Sequence, residues 1–154
     1  MIEAFCAWSA RRHGWEPDPN LVVANASVLQ GVWSCVEAFT EPTGAVILTP
    51  PIYFPFNDIG PTTGRRTVDW PLVRNEHGWH YDLDHLAHLL ADDPGIQLLV
   101  LCHPHNPRSE EHTSELPSLV NRVCRLLLEK TYYAPMTLLC QPQCVLHIAV
   151  RNAA

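Results

Sequence analysis

Two short apolar segments constrain the fold more than any other feature of this sequence. Residues 45–49 read Ala-Val-Ile-Leu-Thr and residues 97–102 read Gln-Leu-Leu-Val-Leu-Cys, and neither segment alternates apolar with polar side chains. Strands of this kind are buried on both faces, which is typical of parallel sheets covered by helices. Residues 21–26 and residues 66–70 are two further β-prone segments. The sequence therefore predicts four strands in a mostly parallel sheet.

Helical patterns separate the strands. Residues 2–12 carry apolar side chains near helical spacing, and Ser27 stands in the position of an N-cap before an apolar stripe over residues 28–39. Residues 82–91 form a third helical pattern, which Pro94 and the glycine after it end. A chain of 154 residues suffices for one core. We expect an α/β domain in which helices flank the sheet.

In such a sheet a ligand binds beyond the carboxyl ends of the strands, where loops meet the N-termini of helices. Ser27 and Val28 follow the first predicted strand, and backbone N–H groups at this helix start could hold a phosphate. Tyr53 follows the second strand in a proline-rich turn, and Asn106 follows the fourth. Backbone N–H groups that bind a phosphate, an aromatic ring and a side-chain amide would together suit a phosphorylated aromatic cofactor.

A series of short motifs in collinear order resembles one enzyme family. The series covers about residues 5–107 and consists of Arg-His-Gly-Trp at 12–15, Ala-Phe-Thr-Glu-Pro at 38–42, Pro-Ile-Tyr-Phe-Pro-Phe at 51–56, Gly-Arg-Arg at 64–66, Pro-Leu at 71–72, Tyr-Asp at 81–82 and Leu-Cys-His-Pro-His-Asn-Pro at 101–107. The series is similar to the fold-type I pyridoxal-phosphate enzymes, aminotransferase class I/II. Within that group it most resembles the MalY/PatB-like cystathionine β-lyase branch.

The resemblance implies a fold, a cofactor and an activity. Residues 1–107 would be part of the large domain of a fold-type I enzyme, and the cofactor would be pyridoxal 5'-phosphate. Ser27 and Val28 would offer backbone amides to its phosphate, Tyr53 would stack on its ring, and Asn106 would hydrogen-bond its 3-hydroxyl. The parent enzyme would be a homodimer whose substrate is an amino acid, a small molecule. It would cleave a carbon–sulfur bond by β-elimination, giving a thiol, pyruvate and ammonia.

Two alternatives to a lyase stay open. An aminotransferase of the same family uses the same cofactor, and a non-catalytic α/β binding module could keep the fold without the chemistry. A flavodoxin-like or nucleotide-binding domain is disfavoured, because the sequence contains neither a G-x-G-x-x-G nor a Walker pattern. The family's chemistry also needs a lysine that bonds the cofactor, and the only lysine is Lys130, outside any matching motif. We therefore predict no catalytic residue in this chain.

The sequence changes character after Pro107, where the family continues with a small residue, glycine and arginine. Residues 108–116 and 123–130 resemble, in the expected order, the translation of a common sequencing adapter. We expect residues 108–130 to be foreign to the native gene and residues 131–154 to follow them without an assigned role. The alternative is a genuine, divergent helix, because several apolar side chains between residues 116 and 127 lie near one helical face.

Charge and cysteine content exclude several classes of function. A formal net charge of −6 predicts no nucleic-acid partner, because no surplus of basic side chains exists to neutralise phosphates. No apolar run approaches the roughly 20 residues of a membrane span, and no signal-peptide pattern is present, so we expect a cytoplasmic protein without a membrane partner. The six cysteines predict reduced thiols. Neither Cys140 with Cys144 nor the cluster at residues 102–105 has a second ligand pair, so no metal site is predicted.

Overall fold

The computed structural model describes residues 1–76, 78–103 and 105, together with the backbone of two strands at 133–141 and 144–151; the side chain of residue 103 is not described. The α-helices are α1 (Ile2–His13), α2 (Val28–Phe39), α3 (Ile59–Thr63) and α4 (Leu83–Asp92). The strands are β1 (Ala45–Leu48), β2 (Arg66–Asp69), β3 (Val73–Asn75), β4 (Gly78–His80), β5 (Ile96–His103), β6 (Tyr133–Gln141) and β7 (Cys144–Arg151). Two short 3₁₀ helices cover Pro19–Leu21 and Phe54–Asp58.

Five of these strands form one sheet in the order β2-β1-β5-β7-β6. Strand β1 pairs in parallel with both β2 and β5, which confirms the parallel core expected from the sequence. Strand β7 pairs antiparallel with β5 and with β6, so the described sheet as a whole is mixed. Strands β3 and β4 form a separate antiparallel hairpin.

The unbroken apolar runs of β1 and β5 arise because helices cover both faces of the sheet. Val46 and Leu48 of β1 pack in a buried cluster with Val32 and Val36 of α2. The alternate residue Ile47 packs on the opposite face, in a second buried cluster that includes residues of α4. Successive side chains of a strand point to opposite faces, so each position of β1 contributes to one of the two clusters.

Helices α2 and α4 both begin with side-chain caps, of which the sequence analysis predicted the one at Ser27. The Ser27 hydroxyl accepts a hydrogen bond from the backbone N–H of Gln30 at 3.1 Å, at the start of α2. The Asp82 carboxylate accepts one from the N–H of His85 at 3.0 Å, at the start of α4. Each cap satisfies a first-turn donor that has no partner within the helix.

The strand expected at residues 21–26 does not form, and this prediction is wrong. A 3₁₀ helix occupies Pro19–Leu21, where the Asp18 carboxylate accepts from the N–H of Asn20 at 2.9 Å. Val22 is extended (φ −93°, ψ 119°), but none of the strands that the structure describes pairs with this segment. Leu21 and Val23 are 80% and 79% exposed. The β-propensity of the segment does not produce a strand, because β-propensity becomes a strand only where a neighbouring strand and a buried face are available.

Arg65 holds the C-terminal end of α2 against the segment that precedes β2. Its guanidinium donates through Nη2 to the carbonyl of Thr40 at 3.1 Å and through Nε to the hydroxyl of Thr40 at 3.2 Å. It also donates through Nη1 to the carbonyl of Thr63 at 2.6 Å. A cation at this end of a helix satisfies carbonyls that have no intrahelical donor and complements the helix dipole.

We predict that Arg65→Ala lowers the free energy of unfolding by about 1–3 kcal/mol, because it removes charge-assisted hydrogen bonds from a half-buried site. Urea denaturation followed by far-ultraviolet circular dichroism measures this change. Arg11→Ala is the matched control, because Arg11 is exposed on α1 and its removal is expected to cost less than about 0.5 kcal/mol. Equal losses in the two variants would contradict the assignment.

Candidate functional site

The carboxyl ends of β1 and β5 define the candidate site. The two strands are parallel neighbours, so both end at the same edge of the sheet. Helix α2 ends at Phe39 and a short turn leads directly into β1, while both elements share one buried cluster. Helix α2 therefore runs back along the sheet, and its first residue lies at the carboxyl edge of β1. This is the place where layered α/β proteins bind ligands.

At the start of α2, the cap leaves two backbone donors without an intrahelical partner. Ser27 is extended (φ −153°, ψ 164°), its hydroxyl accepts from Gln30, and its carbonyl accepts from the N–H of Gly31 at 3.1 Å. The N–H groups of Val28 and Leu29 precede the first hydrogen bond within the helix. The first turn of α2 has no acidic side chain, so nothing in this turn opposes the positive end of the helix dipole.

Tyr53 lies in the turn that follows β1, which begins with a cis Pro50–Pro51 peptide bond. Its ring is 37% exposed. The ring centroid lies 5.3 Å from that of Phe54 and 5.9 Å from that of Phe56, both at steep interplanar angles. Phe56 is 4% exposed and belongs to the buried cluster under α2, so it anchors the turn. The structure thus holds Tyr53 between core and solvent at the carboxyl edge.

The structure also brings to this edge a pair of residues that the sequence analysis missed. Thr49 follows β1 directly and is fully buried, and His105 follows β5 and is 3% exposed. The Nε2 atom of His105 lies 3.2 Å from the carbonyl oxygen of Thr49. The sequence analysis considered His105 only as part of the motif at residues 101–107 and of the cluster at residues 102–105. The signal that could have singled it out is its place directly after a strand that is buried on both faces.

An aromatic pair borders His105. The ring centroid of Tyr81 lies 6.3 Å from that of His105 and 5.0 Å from that of Trp70. Trp70 is fully buried, and its indole Nε1 donates to the carbonyl of Asp82 at 2.8 Å. The end of β2 and the start of α4 therefore support one side of the site.

The predicted residues of the site have different outcomes. Ser27, Val28 and Tyr53 lie on elements that reach the carboxyl edge, whereas Asn106 lies outside the described residues. Lys130 also lies outside them. Within the described part of the chain, no group of three metal-ligating side chains occurs, and no helix is long and apolar enough to cross a membrane.

The cysteines whose side chains the structure describes are free thiols. Cys6, Cys35 and Cys102 form no disulfide. Cys35 and Cys102 belong to the buried cluster between α2 and the sheet, and burial raises the pKa of the Cys35 thiol. A buried thiol with a raised pKa is a weak nucleophile at neutral pH, so Cys35 acts as a small apolar side chain.

Comparison with known proteins identifies a family and several relatives that this chain resembles. The profile of the family "Aminotransferase class I and II" matches residues 2–125. Cystathionine beta-lyase PatB of Bacillus subtilis is 34% identical over 113 residues, which cover 73% of this chain and 29% of PatB. Arginine–pyruvate transaminase AruH of Pseudomonas aeruginosa is 30% identical over 97 residues, which cover 63% of this chain and 24% of AruH.

The fold is shared with a solved structure of cystalysin from Treponema denticola, which contains a pyridoxal 5'-phosphate cofactor. The TM-score is 0.70 at 24% identity, and the match covers 84% of this chain and 32% of cystalysin. The chain spans less than a third of the length of each of these three proteins. The match of the family profile to most of the chain confirms the resemblance seen in the motifs, and the chain belongs to the aminotransferase class I and II family.

Proposed function

We propose that this chain forms the part of a pyridoxal-phosphate-dependent carbon–sulfur β-lyase that holds the phosphate and the ring of the cofactor. The observation that carries the proposal is the convergence of the capped start of α2 and the half-exposed Tyr53 at one edge of the sheet. The similarity to cystathionine beta-lyase PatB supports a lyase. An amino-acid substrate, a homodimeric whole protein and a cytoplasmic location are parts of the same proposal.

The described residues fit the cofactor. The N–H groups of Val28 and Leu29 would donate to the phosphate, whose charge the positive end of the α2 dipole favours. Ser27 would keep these donors oriented, because its hydroxyl already satisfies the N–H of Gln30. The ring of Tyr53 would stack on the pyridine ring, and Asn106 would bond the 3-hydroxyl, a role that rests on the family motif. When bound, the cofactor withdraws electrons from the α-carbon of an amino acid, so that a group on the β-carbon can leave.

An aminotransferase is the second candidate, and the similarity to AruH favours it. The same phosphate and ring contacts would serve either reaction, because both begin with an amino acid activated by the same cofactor. The two reactions differ in whether the whole protein eliminates the group on the β-carbon of the substrate or retains it. Product analysis of the whole protein with cystathionine distinguishes the two, since a lyase gives pyruvate and ammonia whereas an aminotransferase gives the keto acid of the intact substrate.

We predict that Tyr53→Ala weakens the binding of pyridoxal phosphate about tenfold, because ring stacking contributes about 0.5–1.5 kcal/mol beyond buried area. Titration of the purified chain, followed by induced circular dichroism of the cofactor band, measures the dissociation constant. Tyr53→Phe keeps the ring and is expected to bind within about twofold of the unsubstituted chain.

Trp79→Ala is the matched control for Tyr53→Ala. Trp79 is 38% exposed, close to the 37% of Tyr53, but it lies in the separate β3–β4 hairpin and not in the five-stranded sheet. We expect its removal to leave cofactor binding unchanged. A non-catalytic module that does not bind the cofactor would show no induced signal in any of these variants, and that result would reject the proposed function.

We propose in addition that residues 108–130 are foreign to the native gene. The backbone pairing of β7 with β5 is compatible with this proposal, because an open strand edge accepts many β-prone partners. Sequencing the locus from an independent library tests it, and a coding sequence that continues unchanged through Arg108 would refute it. The proposal also predicts faster amide hydrogen exchange over residues 108–154 than over the parallel core, because side chains not selected with this core do not complement it.

A further inference from the structure

We infer that His105 and Thr49 form a positioning pair that ties the loop after β5 to the loop after β1. The inference concerns neither a catalytic group nor a direct cofactor ligand. It rests on the proposed function only for the roles of Tyr53 and Asn106 in cofactor binding. The two residues are 56 positions apart in the chain, and a single hydrogen bond joins them.

The chemistry of the contact fixes the direction of this bond. A backbone carbonyl oxygen can only accept, so the Nε2 atom of His105 carries the hydrogen and donates it to Thr49 over 3.2 Å. With Thr49 fully buried and His105 3% exposed, water cannot replace the donor. Loss of the donor would therefore leave a buried carbonyl without this partner, which is more costly than the loss of a bond at the surface.

The surroundings hold the imidazole ring in place. The ring of Tyr81 lies 6.3 Å from it between centroids, and Trp70 lies behind Tyr81 at 5.0 Å. The hydrogen bond from Trp70 to the carbonyl of Asp82 fixes the indole in turn. The carbonyl of Thr49 and the aromatic pair of Tyr81 and Trp70 thus constrain the ring of His105. This arrangement suits a group that must keep one orientation.

The position of the pair gives it a role at the site. Thr49 is four residues before Tyr53, and His105 directly precedes Asn106 in the sequence. The proposed ring-stacking residue and the proposed 3-hydroxyl ligand therefore lie on the two loops that the bond joins. A cofactor held by both loops binds more tightly when their separation is fixed in advance, because less conformational entropy is lost on binding. The pair acts through these neighbours.

Substitutions at His105 separate a positioning role from a general loss of stability. His105→Gln keeps an amide N–H near the position of Nε2, whereas His105→Leu keeps similar bulk without a donor. His88→Leu makes the same change at an exposed position on α4 and serves as the control. In the cofactor-free chain, we expect His105→Leu to raise the hydrogen exchange of the Phe56 amide, which donates to the carbonyl of Tyr53, about tenfold, with β1 and α4 unchanged. We expect His105→Gln to stay within about threefold of the unsubstituted chain.

Cofactor binding provides the second readout. We expect His105→Leu to weaken the binding of pyridoxal phosphate about tenfold and His105→Gln to restore it, because only the glutamine can donate to Thr49. A purely structural role would accelerate exchange throughout the chain and would leave the glutamine and leucine variants equally impaired; either result would overturn the inference. If the unsubstituted chain binds no cofactor but the local exchange contrast is present, the proposed function fails and the tie between the loops stands.

Should His105→Leu fail to fold, nuclear magnetic resonance of the unsubstituted chain decides the question. The bond predicts a proton on Nε2 of His105 that exchanges slowly with solvent, and an unprotonated Nδ1 in the neutral ring. A proton found on Nδ1 alone, or an Nε2 proton that exchanges as fast as that of an exposed histidine, would overturn the inference.

Discussion

The purified chain is expected to release no pyruvate from cystathionine above the rate produced by free pyridoxal phosphate. The reaction of the family needs a lysine amine that bonds the cofactor and moves the α-proton. The only lysine is Lys130, which lies in the adapter-like segment. Loss of a positioned general base alone lowers a rate by about 10²–10⁴-fold, and the covalent anchor is lost as well. Binding without turnover is the expected behaviour of this chain.

Borohydride reduction tests this expectation directly. After incubation with pyridoxal phosphate, reduction makes any bond between the cofactor and an amine permanent, and peptide mass spectrometry then locates the modified residue. We expect no stoichiometric label on Lys130, and we expect Lys130→Ala to bind the cofactor as the unsubstituted chain does. Stoichiometric labelling of Lys130 together with pyruvate release would show that the chain contains its own catalytic lysine.

Local patterns predicted the parallel core and its helices correctly, because in these segments every level of structure favours the same outcome. Strands β1 and β5 are apolar on both faces, so both faces must be buried. The helices that begin after the caps Ser27 and Asp82 have apolar stripes that bury them. Local propensity, capping and tertiary burial therefore agree. The collinear motifs added the family, which no periodicity alone could give.

The errors arose where a tertiary partner decides the outcome. Residues 21–26 have β-propensity, but no strand in the described part of the chain pairs with them, and a sequence does not show whether a partner strand exists. The role of His105 was not predicted, because its surroundings depend on Thr49 and Tyr81, which are distant in the chain. The position of Tyr53 at the carboxyl edge was predictable, since strand direction fixes where the connecting loops lie. Ser27 reaches this edge because α2 runs back along the sheet, and not because a strand precedes it. The hydrogen bond between His105 and Thr49, which joins two of the loops at this edge, was not predictable from the sequence.

The aromatic pair of Trp70 and Tyr81, which lies beside the site, contributes to the stability of the whole domain. Trp70 is fully buried between the sheet and α4, it packs against Tyr81, and it bonds the carbonyl of Asp82. The same carbonyl also accepts from the N–H of Leu86 at 3.1 Å, in the first turn of α4. Volume and hydrogen bonding at Trp70 can therefore be separated by substitution, because Asp82 keeps one donor when the indole N–H is removed.

We predict that Trp70→Ala lowers the free energy of unfolding by about 3–5 kcal/mol, the usual cost of a cavity left by a large buried aromatic side chain. This is a large part of the roughly 5–15 kcal/mol that stabilises a typical domain, so the variant should be partly unfolded at 37 °C. Trp70→Phe fills most of the space and loses only one neutral hydrogen bond, so we expect a cost of about 1–2 kcal/mol. Urea denaturation followed by circular dichroism measures both variants.

The exposed Trp79 provides the comparison, because Trp79→Ala removes an equal volume from a side chain that is 38% exposed on a surface hairpin. Its expected cost is below about 1 kcal/mol. Trp70 also supports Tyr81, which borders His105, so Trp70→Ala should accelerate hydrogen exchange in the turn at residues 53–56 as His105→Leu does, whereas Trp70→Phe should not. A loss from Trp70→Ala no greater than that from Trp79→Ala would show that neither the core nor the edge of the sheet depends on this side chain.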